Sequence, residues 1–204
     1  METLTPALEH LLARVDLTPD QIDAVAVDVG PGLFTGLRVG VAAAKGLAQS
    51  LGLGVIGLTS LEILTAAAAR SAVRGIVVAC VDARRGEVFA SASEVDASGA
   101  VTAEVVSAGL FTPFDLAEAL GALGGGTPVQ AVGDGALRYV DVLGAVDGVH
   151  ALAPALSFPP PATLLALAQE LLEEGRPPVE PGCVVPLYMR EADAKSNFAR
   201  AERS

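Results

Sequence analysis

One segment of the chain organises the rest around it: Val25-Ala-Val-Asp-Val-Gly30-Pro-Gly-Leu-Phe-Thr-Gly36-Leu-Arg-Val-Gly40-Val-Ala-Ala-Ala-Lys45-Gly-Leu-Ala-Gln-Ser50. Its first residues are mostly apolar and β-branched. After Gly30-Pro31-Gly32 the apolar spacing changes from that of a strand to that of a helix. The segment therefore predicts a strand, a tight turn and a helix, in that order.

The predicted helix carries two neighbouring stripes of side chains. The apolar stripe has the three- and four-residue spacing of one buried face and consists of Phe34, Leu37, Val41, Ala44 and Ala48. The second stripe repeats every four residues and consists of the small residues Gly32, Gly36, Gly40, Ala44 and Ala48. Glycine in a helix costs about 1 kcal/mol relative to alanine. We therefore expect another backbone, from this chain or from a partner, to approach the small stripe closely.

A glycine-rich turn before a helix also fits a phosphate-binding site, because free amides at a helix start attract anions. Here Gly36 is followed by Leu37-Arg38 instead of Lys-Ser or Lys-Thr, and Pro31 has no amide hydrogen. The glycines also lack the spacing of a dinucleotide-binding turn. Packing and turn geometry are the favoured explanation, with nucleotide binding as the alternative.

Composition narrows the class of protein. The 204 residues carry a formal net charge of −11 with no Trp and six Phe. The chain is long enough to bury a core in one unit or in two lobes. Its acidity argues against an independent nucleic-acid binder, so another subunit would carry the phosphate contacts if RNA is involved.

The two cysteines and the apolar runs bear on location. Cys80 and Cys183 lie far apart and show no metal or redox spacing, which fits a reducing cytoplasm. No uncharged apolar run approaches the length of a membrane span, and the N-terminus has no signal-peptide pattern. We expect a cytoplasmic protein with no membrane contact.

The N-terminal part of the sequence predicts alternating helices and strands. Thr5-Pro6 begins an amphipathic helix, a strand starts near Ala24, and a second strand covers residues 53–58 after the central helix. Ser60 is the predicted N-cap of a third helix that ends near Ser71. This order is typical of an α/β fold with parallel crossovers.

The pattern changes near Gly75. Residues 76–81 and 87–91 predict a hairpin, with extended chain to about 106, a helix at 112–120 and a loop at 124–126. A strand at 129–132, a helix near 137–143, a rigid linker at 159–161 and an amphipathic helix through Leu164 and Leu171 follow. The tail, residues 180–204, ends in Val185-Pro-Leu-Tyr-Met-Arg190 and a mixed-charge segment that is predicted to fray.

Few side chains are candidates for catalysis. Asp82 and Glu87 flank the hairpin turn and are candidates for a general acid and base, but Arg84 and Arg85 between them favour a turn whose charges neutralise each other. Gly133-Asp134-Gly135 follows a strand and either reverses the chain or approaches a ligand, and we favour the former.

The sequence gives little support for a metal site or for a serine-histidine catalytic triad. His10 and His150 are the only histidines, and neither has a second ligand at metal spacing. Ser60 and Ser157 lack an elbow motif and a histidine partner. Cys80 lies in an apolar strand and is expected in the core. We therefore assign no catalytic, cofactor or metal residue.

Three segments resemble the bacterial TsaB family, also called YeaZ: residues 30–40, residues 82–89 and Pro186-Leu-Tyr-Met-Arg190. The resemblance implies a two-lobed fold like that of actin and Hsp70 ATPases, related to ribonuclease H, with lobes at residues 1–73 and 74–204. It also implies a non-catalytic scaffold for threonylcarbamoyl transfer to the adenosine beside the anticodon of tRNAs that read codons beginning with A.

The resemblance further implies the partners. These are a TsaD-like catalytic subunit, bound as a heterodimer through the first two helices, and a TsaE-like ATPase, with tRNA contacted only through the complex. Carried to this sequence, the interface would contain eight residues: Leu8, Leu12, Gly36, Leu37, Gly40, Val41, Ala44 and Ala48.

Two alternatives and one departure accompany this resemblance. An enzyme of the same fold would bind a nucleotide with Asp82 and the turn at 133–135, and a structural homodimer would form through the glycine stripe. Family members normally begin with three strands, whereas this chain begins at the first helix. The resemblance thus implies an N-terminal lobe without its usual first strands and with an exposed sheet edge.

Overall fold

The computed structural model describes residues 4–123, 127–151 and 154–189. The strands are β1 (Val25–Asp28), β2 (Val55–Leu58), β3 (Gly75–Arg84), β4 (Glu87–Val95), β5 (Val101–Phe111), β6 (Val129–Val132) and β7 (Val149–Ala151). The α-helices are α1 (Leu4–Arg14), α2 (Phe34–Leu51), α3 (Ser60–Arg70), α4 (Pro113–Gly121), α5 (Asp134–Arg138), α6 (Val140–Leu143) and α7 (Pro161–Glu173). The predicted loop at 124–126 and the tail from residue 190 lie outside the described residues.

The N-terminal lobe is built on two parallel strands. β1 pairs with β2 from Val25↔Val55 to Asp28↔Leu58, and α2 is the crossover between them. On one face of this sheet, Val41 and Ala48 of α2 pack with Val27 and Val55. On the other face, Ile63 of α3 and Ala168 of α7 pack with Ile56 and Leu58. Within the described residues β1 has β2 as its one strand partner, so its other edge is unpaired.

The C-terminal lobe has a mixed sheet with strand order β5-β4-β3-β6-β7. β3, β4 and β5 are antiparallel, whereas β3, β6 and β7 are parallel. One face forms the main core with α4 and α6, through Leu116, Leu120 and Leu143. This arrangement confirms the predicted hairpin and the α/β fold class.

α3 is the helix shared by the two lobes. Ile63 faces the N-terminal sheet, whereas Leu61 and Leu64 pack on the second face of the C-terminal sheet. A helix that is apolar on all sides is buried on all sides. Nine of its 11 residues are buried, which fits this central position.

The capping of α3 differs from the prediction. Thr59, not Ser60, is the N-cap, because its hydroxyl accepts from the Glu62 amide at 3.1 Å while the Glu62 carboxylate accepts from the Thr59 amide at 2.7 Å. This reciprocal pair is a capping box. The Ser60 hydroxyl is thereby left to bind Asp28, at 2.8 and 2.9 Å from the two carboxylate oxygens.

The chain returns to the N-terminal lobe at its end. α7 contributes Leu164, Leu167 and Ala168 to the cluster around Ile56, and Val184 is buried beside α2. The predicted division placed every residue after 73 in one lobe and did not include this return.

None of the helices in the described part of the chain is long and apolar enough to cross a membrane.

Candidate partner interface

The turn at residues 28–32 is held by hydrogen bonds from within the chain. The Asp28 carboxylate accepts from the Gly30 amide at 2.8 Å and from the Ser60 hydroxyl. The Gly30 carbonyl accepts from the Ser60 amide, and the Val29 carbonyl accepts from the Leu187 amide, both at 2.7 Å. The Gly30 amide, which a phosphate would need, is therefore already bonded to Asp28.

Asp28 gives this turn a pH dependence. Burial raises the pKa of its carboxyl above the ordinary 3.8, outweighing the hydrogen bonds from Gly30 and Ser60. The native state thus holds the proton more tightly than the unfolded chain does. The resulting contribution to stability is complete below about pH 3.8 and is lost as pH rises through the raised pKa.

Asp28→Asn is expected to abolish this contribution, since the amide stays neutral and can still accept from Gly30. Urea unfolding between about pH 4 and 7 should show the wild type losing stability relative to Asp28→Asn as pH rises. Asp96→Asn is the control of opposite sign and is measured below about pH 4, because hydrogen bonds from Ser98 and Ala100 lower the pKa of Asp96 below the ordinary 3.8, so the wild type loses stability relative to this variant as pH falls through the lowered pKa. Parallel pH profiles for the wild type and Asp28→Asn would contradict the prediction.

The residues of α2 divide between the core and an open face. Val41 and Ala48 are buried, Ala44 packs partly against them, and Leu37 lies under the turn beside Gly30. A methyl group added at Gly36 or Gly40 would meet no described atom within 4 Å beyond the local helix backbone. The open part of the predicted small stripe is therefore its N-terminal half.

α1 packs little against the other elements of the described chain. None of the hydrophobic clusters in the described residues contains an α1 side chain. Leu8 and Leu12 are half-buried, while Leu11 is 60% exposed and Val15, just past the helix, is 62% exposed. An isolated helix of 11 residues is marginal in water. α1 thus presents an apolar surface that a partner could cover.

A segment that sequence reasoning missed lies along another side of α2. This strap, residues 178–189, begins with an antiparallel bridge between Val179 and Val55. Lys45 of α2 donates to the Val184 carbonyl at 2.9 Å, and Arg38 donates to the Tyr188 hydroxyl at 2.8 Å. These contacts hold residues 180–189 on the lobe, whereas the mixed-charge segment that was predicted to fray lies outside the described residues.

The hairpin turn at 82–87 is an ion-pair cluster around one buried carboxylate. The Asp82 side chain is 3% exposed, and its Oδ2 lies 3.0 Å from Arg84 and 3.2 Å from Arg138. Asp134 accepts from the Asp82 amide at 3.0 Å. Sequence reasoning found Asp82 and Arg84 but missed Arg138, because the parallel pairing of β3 with β6 was needed to bring α5 to this turn.

The Gly133-Asp134-Gly135 turn lies against strand β3. A Cβ at Gly133 would be 2.1 Å from the Cys80 carbonyl oxygen, and one at Gly135 would be 2.9 Å from the Cys80 sulfur. Burial raises the pKa of the Cys80 thiol, so the sulfur stays protonated and apolar in character. Close packing on β3 thus accounts for both glycines, whereas the favoured sequence interpretation was a turn that only reverses the chain.

The remaining sequence candidates are not brought together. His10 lies exposed on α1 and His150 lies exposed on β7. In the part of the chain that the structure describes, no group of three His, Cys, Asp or Glu side chains could hold a metal ion. Ser60 is bonded to Asp28, and Ser157 has a partner of its own.

Comparison with known proteins supports the resemblance seen in the motifs. Residues 1–132 match the family described as "TsaD: tRNA N6-adenosine threonylcarbamoyltransferase". The Escherichia coli "tRNA threonylcarbamoyladenosine biosynthesis protein TsaB" is 30% identical over 189 residues, which are 93% of this chain and 80% of that protein. The Haemophilus influenzae protein of the same name is 41% identical over 88 residues, but these span 43% of this chain and 37% of that protein.

A solved structure confirms the fold. "YeaZ from Pseudomonas aeruginosa" superposes with a TM-score of 0.77 at 28% identity, covering 92% of this chain and 83% of that one. The predicted two-lobed, actin-like and ribonuclease H-like architecture is thereby confirmed. The chain belongs to the TsaB family.

Proposed function

We propose that this chain is a subunit of the cytoplasmic apparatus that makes threonylcarbamoyladenosine in tRNA, and that it is a scaffold without a catalytic centre. It binds a TsaD-like catalytic subunit as a heterodimer through α1 and the open face of α2. A TsaE-like ATPase completes the assembly, and tRNA is contacted through the complex.

The observation that carries the proposal is the surface that these two helices leave uncovered. α1 exposes apolar side chains, and α2 leaves Gly36 and Gly40 open. An open small-residue face allows a partner helix to approach more closely than the usual 8–10 Å between helix axes. Leu8, Leu12, Gly36 and Gly40 are the proposed contacts, while Leu37, Val41, Ala44 and Ala48 support them from the core side.

The net charge and the turn at residues 133–135 fit a scaffold better than an RNA-binding protein or a nucleotide-binding enzyme. A net charge of −11 opposes binding of RNA by the chain alone. A nucleotide-binding enzyme would need space at the turn after β6, where Gly133 and Gly135 instead pack on Cys80. A homodimer would use the same open face of α2, so the two kinds of assembly should exclude each other.

Reconstitution tests the proposal. We expect threonylcarbamoyl transfer to tRNA by the organism's TsaD-like and TsaE-like subunits to require this chain, and size-exclusion chromatography with light scattering to show a complex of one copy with one TsaD-like subunit. Transfer that proceeds equally well without this chain would contradict the scaffold role. A homodimer that persists in excess TsaD-like subunit would favour the structural alternative.

A further inference from the structure

A cavity of about 430 Å³ lies between α3, β4, β5 and α7. None of the residues that line it belongs to α1 or α2, so it is separate from the proposed partner interface. The space exists because α3 presents Thr65 and Ala66 while β4 presents Ser91, all of them small. The pairing of β4 with β5 also shifts register on both sides of Ala92, which bends the strands at this place.

Two side-chain hydroxyls belong to the wall of the cavity. Thr65 and Ser91 are each 6% exposed, and neither side-chain hydroxyl makes a hydrogen bond with another described residue. No fully enclosed side-chain oxygen among the described residues lacks a partner, so each of these two hydroxyls keeps some accessible surface, and both residues line the cavity. A guest that displaces water from these hydroxyls has to replace the lost hydrogen bonds, so it needs a polar group of its own.

The other residues that line the cavity indicate how polar a bound molecule would be. Much of the wall is apolar and consists of Leu58 of β2, Leu61 of α3, and Leu167 and Leu171 of α7. A mostly apolar wall with a few polar groups is typical of sites for small organic molecules, and the volume lies in their usual range.

The mouth of the cavity carries charged side chains of both signs. Glu62 and Glu104 are exposed there, together with Arg176, which makes no ion pair with another described residue. The two carboxylates outnumber the one guanidinium, so the local field opposes a guest that carries a negative charge.

We propose that this cavity is a binding site for a small, uncharged and largely apolar organic molecule that hydrogen-bonds to Thr65 and Ser91. Such a molecule would contact α3 and α7 on one side and the C-terminal sheet on the other. The inference is independent of the proposed function, since it uses none of the residues assigned to the partner interface.

The probe for the test is N-phenyl-1-naphthylamine, an uncharged aromatic amine whose fluorescence increases in apolar surroundings. Titrated into the full chain, it should bind saturably with one molecule per chain. Ala66→Phe fills the cavity and should weaken binding at least tenfold, while Thr65→Val with Ser91→Ala should weaken it about threefold or more by removing both hydroxyls. The anionic analogue 8-anilinonaphthalene-1-sulfonate should bind at least threefold more weakly than the neutral probe.

Phe114→Ala is the matched control, because Phe114 is 74% exposed on α4 and lies outside the cavity. It should leave probe binding unchanged, and amide NMR shifts in the wild type should concentrate around Thr65 and Ser91. The inference is overturned if folded Ala66→Phe or the double variant binds like the wild type, if Phe114→Ala abolishes binding, or if the shifts lie elsewhere. Binding of the TsaD-like subunit by the same variants should not change, which separates this test from that of the proposed function.

Discussion

Gly40→Leu is expected to leave the isolated chain folded and to weaken its binding to a TsaD-like subunit at least a hundredfold. In the free chain the first atom of the new side chain meets open space, since a Cβ at Gly40 has no described atom within 4 Å beyond the local helix. Leucine is also a better helix former than glycine by somewhat under 1 kcal/mol. The isolated variant should therefore be as stable as the wild type or slightly more stable.

The loss of binding would come from the partner side. If a helix of the partner packs over Gly36 and Gly40, an isobutyl group between the two backbones forces them apart. Overpacking of this kind costs about 1–3 kcal/mol, and a hundredfold loss of affinity corresponds to about 2.7 kcal/mol. Titration calorimetry with the TsaD-like subunit measures this, with circular dichroism and urea unfolding as the check on folding.

Ala42→Leu is the matched control for position. Ala42 is exposed on the same helix, and two residues beyond Gly40 correspond to a rotation of about 200° around the helix axis. It should bind the partner within about threefold of the wild type, a difference of about 0.7 kcal/mol. If Gly40→Leu also binds within that range, the open face of α2 is not the interface and the proposed contacts of α1 fall with it.

The sequence allowed the local features of this lobe to be predicted. The strand, the turn and the helix from Val25 to Ser50 follow from spacing and from the glycine-proline turn, and the structure has β1 and α2 there. The same spacing placed Val41 and Ala48 on one stripe, and both are buried. It could not tell which residues of the small stripe would be open, because that depends on how the helix is rotated against the sheet.

Contacts between distant parts of the chain could not be predicted. Lys45 and Val184 are 139 positions apart, and the strap has no period of its own because prolines at 181 and 186 interrupt it. Arg138 reaches Asp82 only after β3 and β6 have paired. The cavity beside Thr65 exists because the side chains between α3, β4, β5 and α7 do not fill the space between these elements. No sequence motif indicates such unfilled space.

Gly133→Ala is expected to have the largest effect on stability, a loss of about 3–5 kcal/mol when backbone strain and overpacking are added. Gly133 has φ +104° and ψ 165°, a conformation that is essentially confined to glycine. An added Cβ would lie 2.1 Å from the carbonyl oxygen of Cys80, which belongs to the central strand β3. Neither backbone can move without disturbing the pairing of β3 with β6, so the cost cannot be relieved locally.

Substitutions at two other glycines separate backbone strain from overpacking in the stability loss of Gly133→Ala. Gly86 has φ +83° with no described atom within 4 Å of an added Cβ, so Gly86→Ala should cost about 1–2 kcal/mol of left-handed strain alone. Gly36 is helical and open, so Gly36→Ala should stabilise the chain by about 0.5–1 kcal/mol. Urea unfolding of the three variants measures all three effects.

The order of the three variants in free energy of unfolding distinguishes the two interpretations of the Gly133-Asp134-Gly135 turn, which are packing and ligand binding. If Gly133 serves the packing of β6 and α5 against β3, Gly133→Ala must be markedly less stable than Gly86→Ala, which shares a positive φ but not the clash. If the turn were an open loop that approaches a ligand, the two variants would lose similar amounts of stability. Equal losses of stability would therefore make this turn a candidate ligand site again, and they would support the nucleotide-binding alternative.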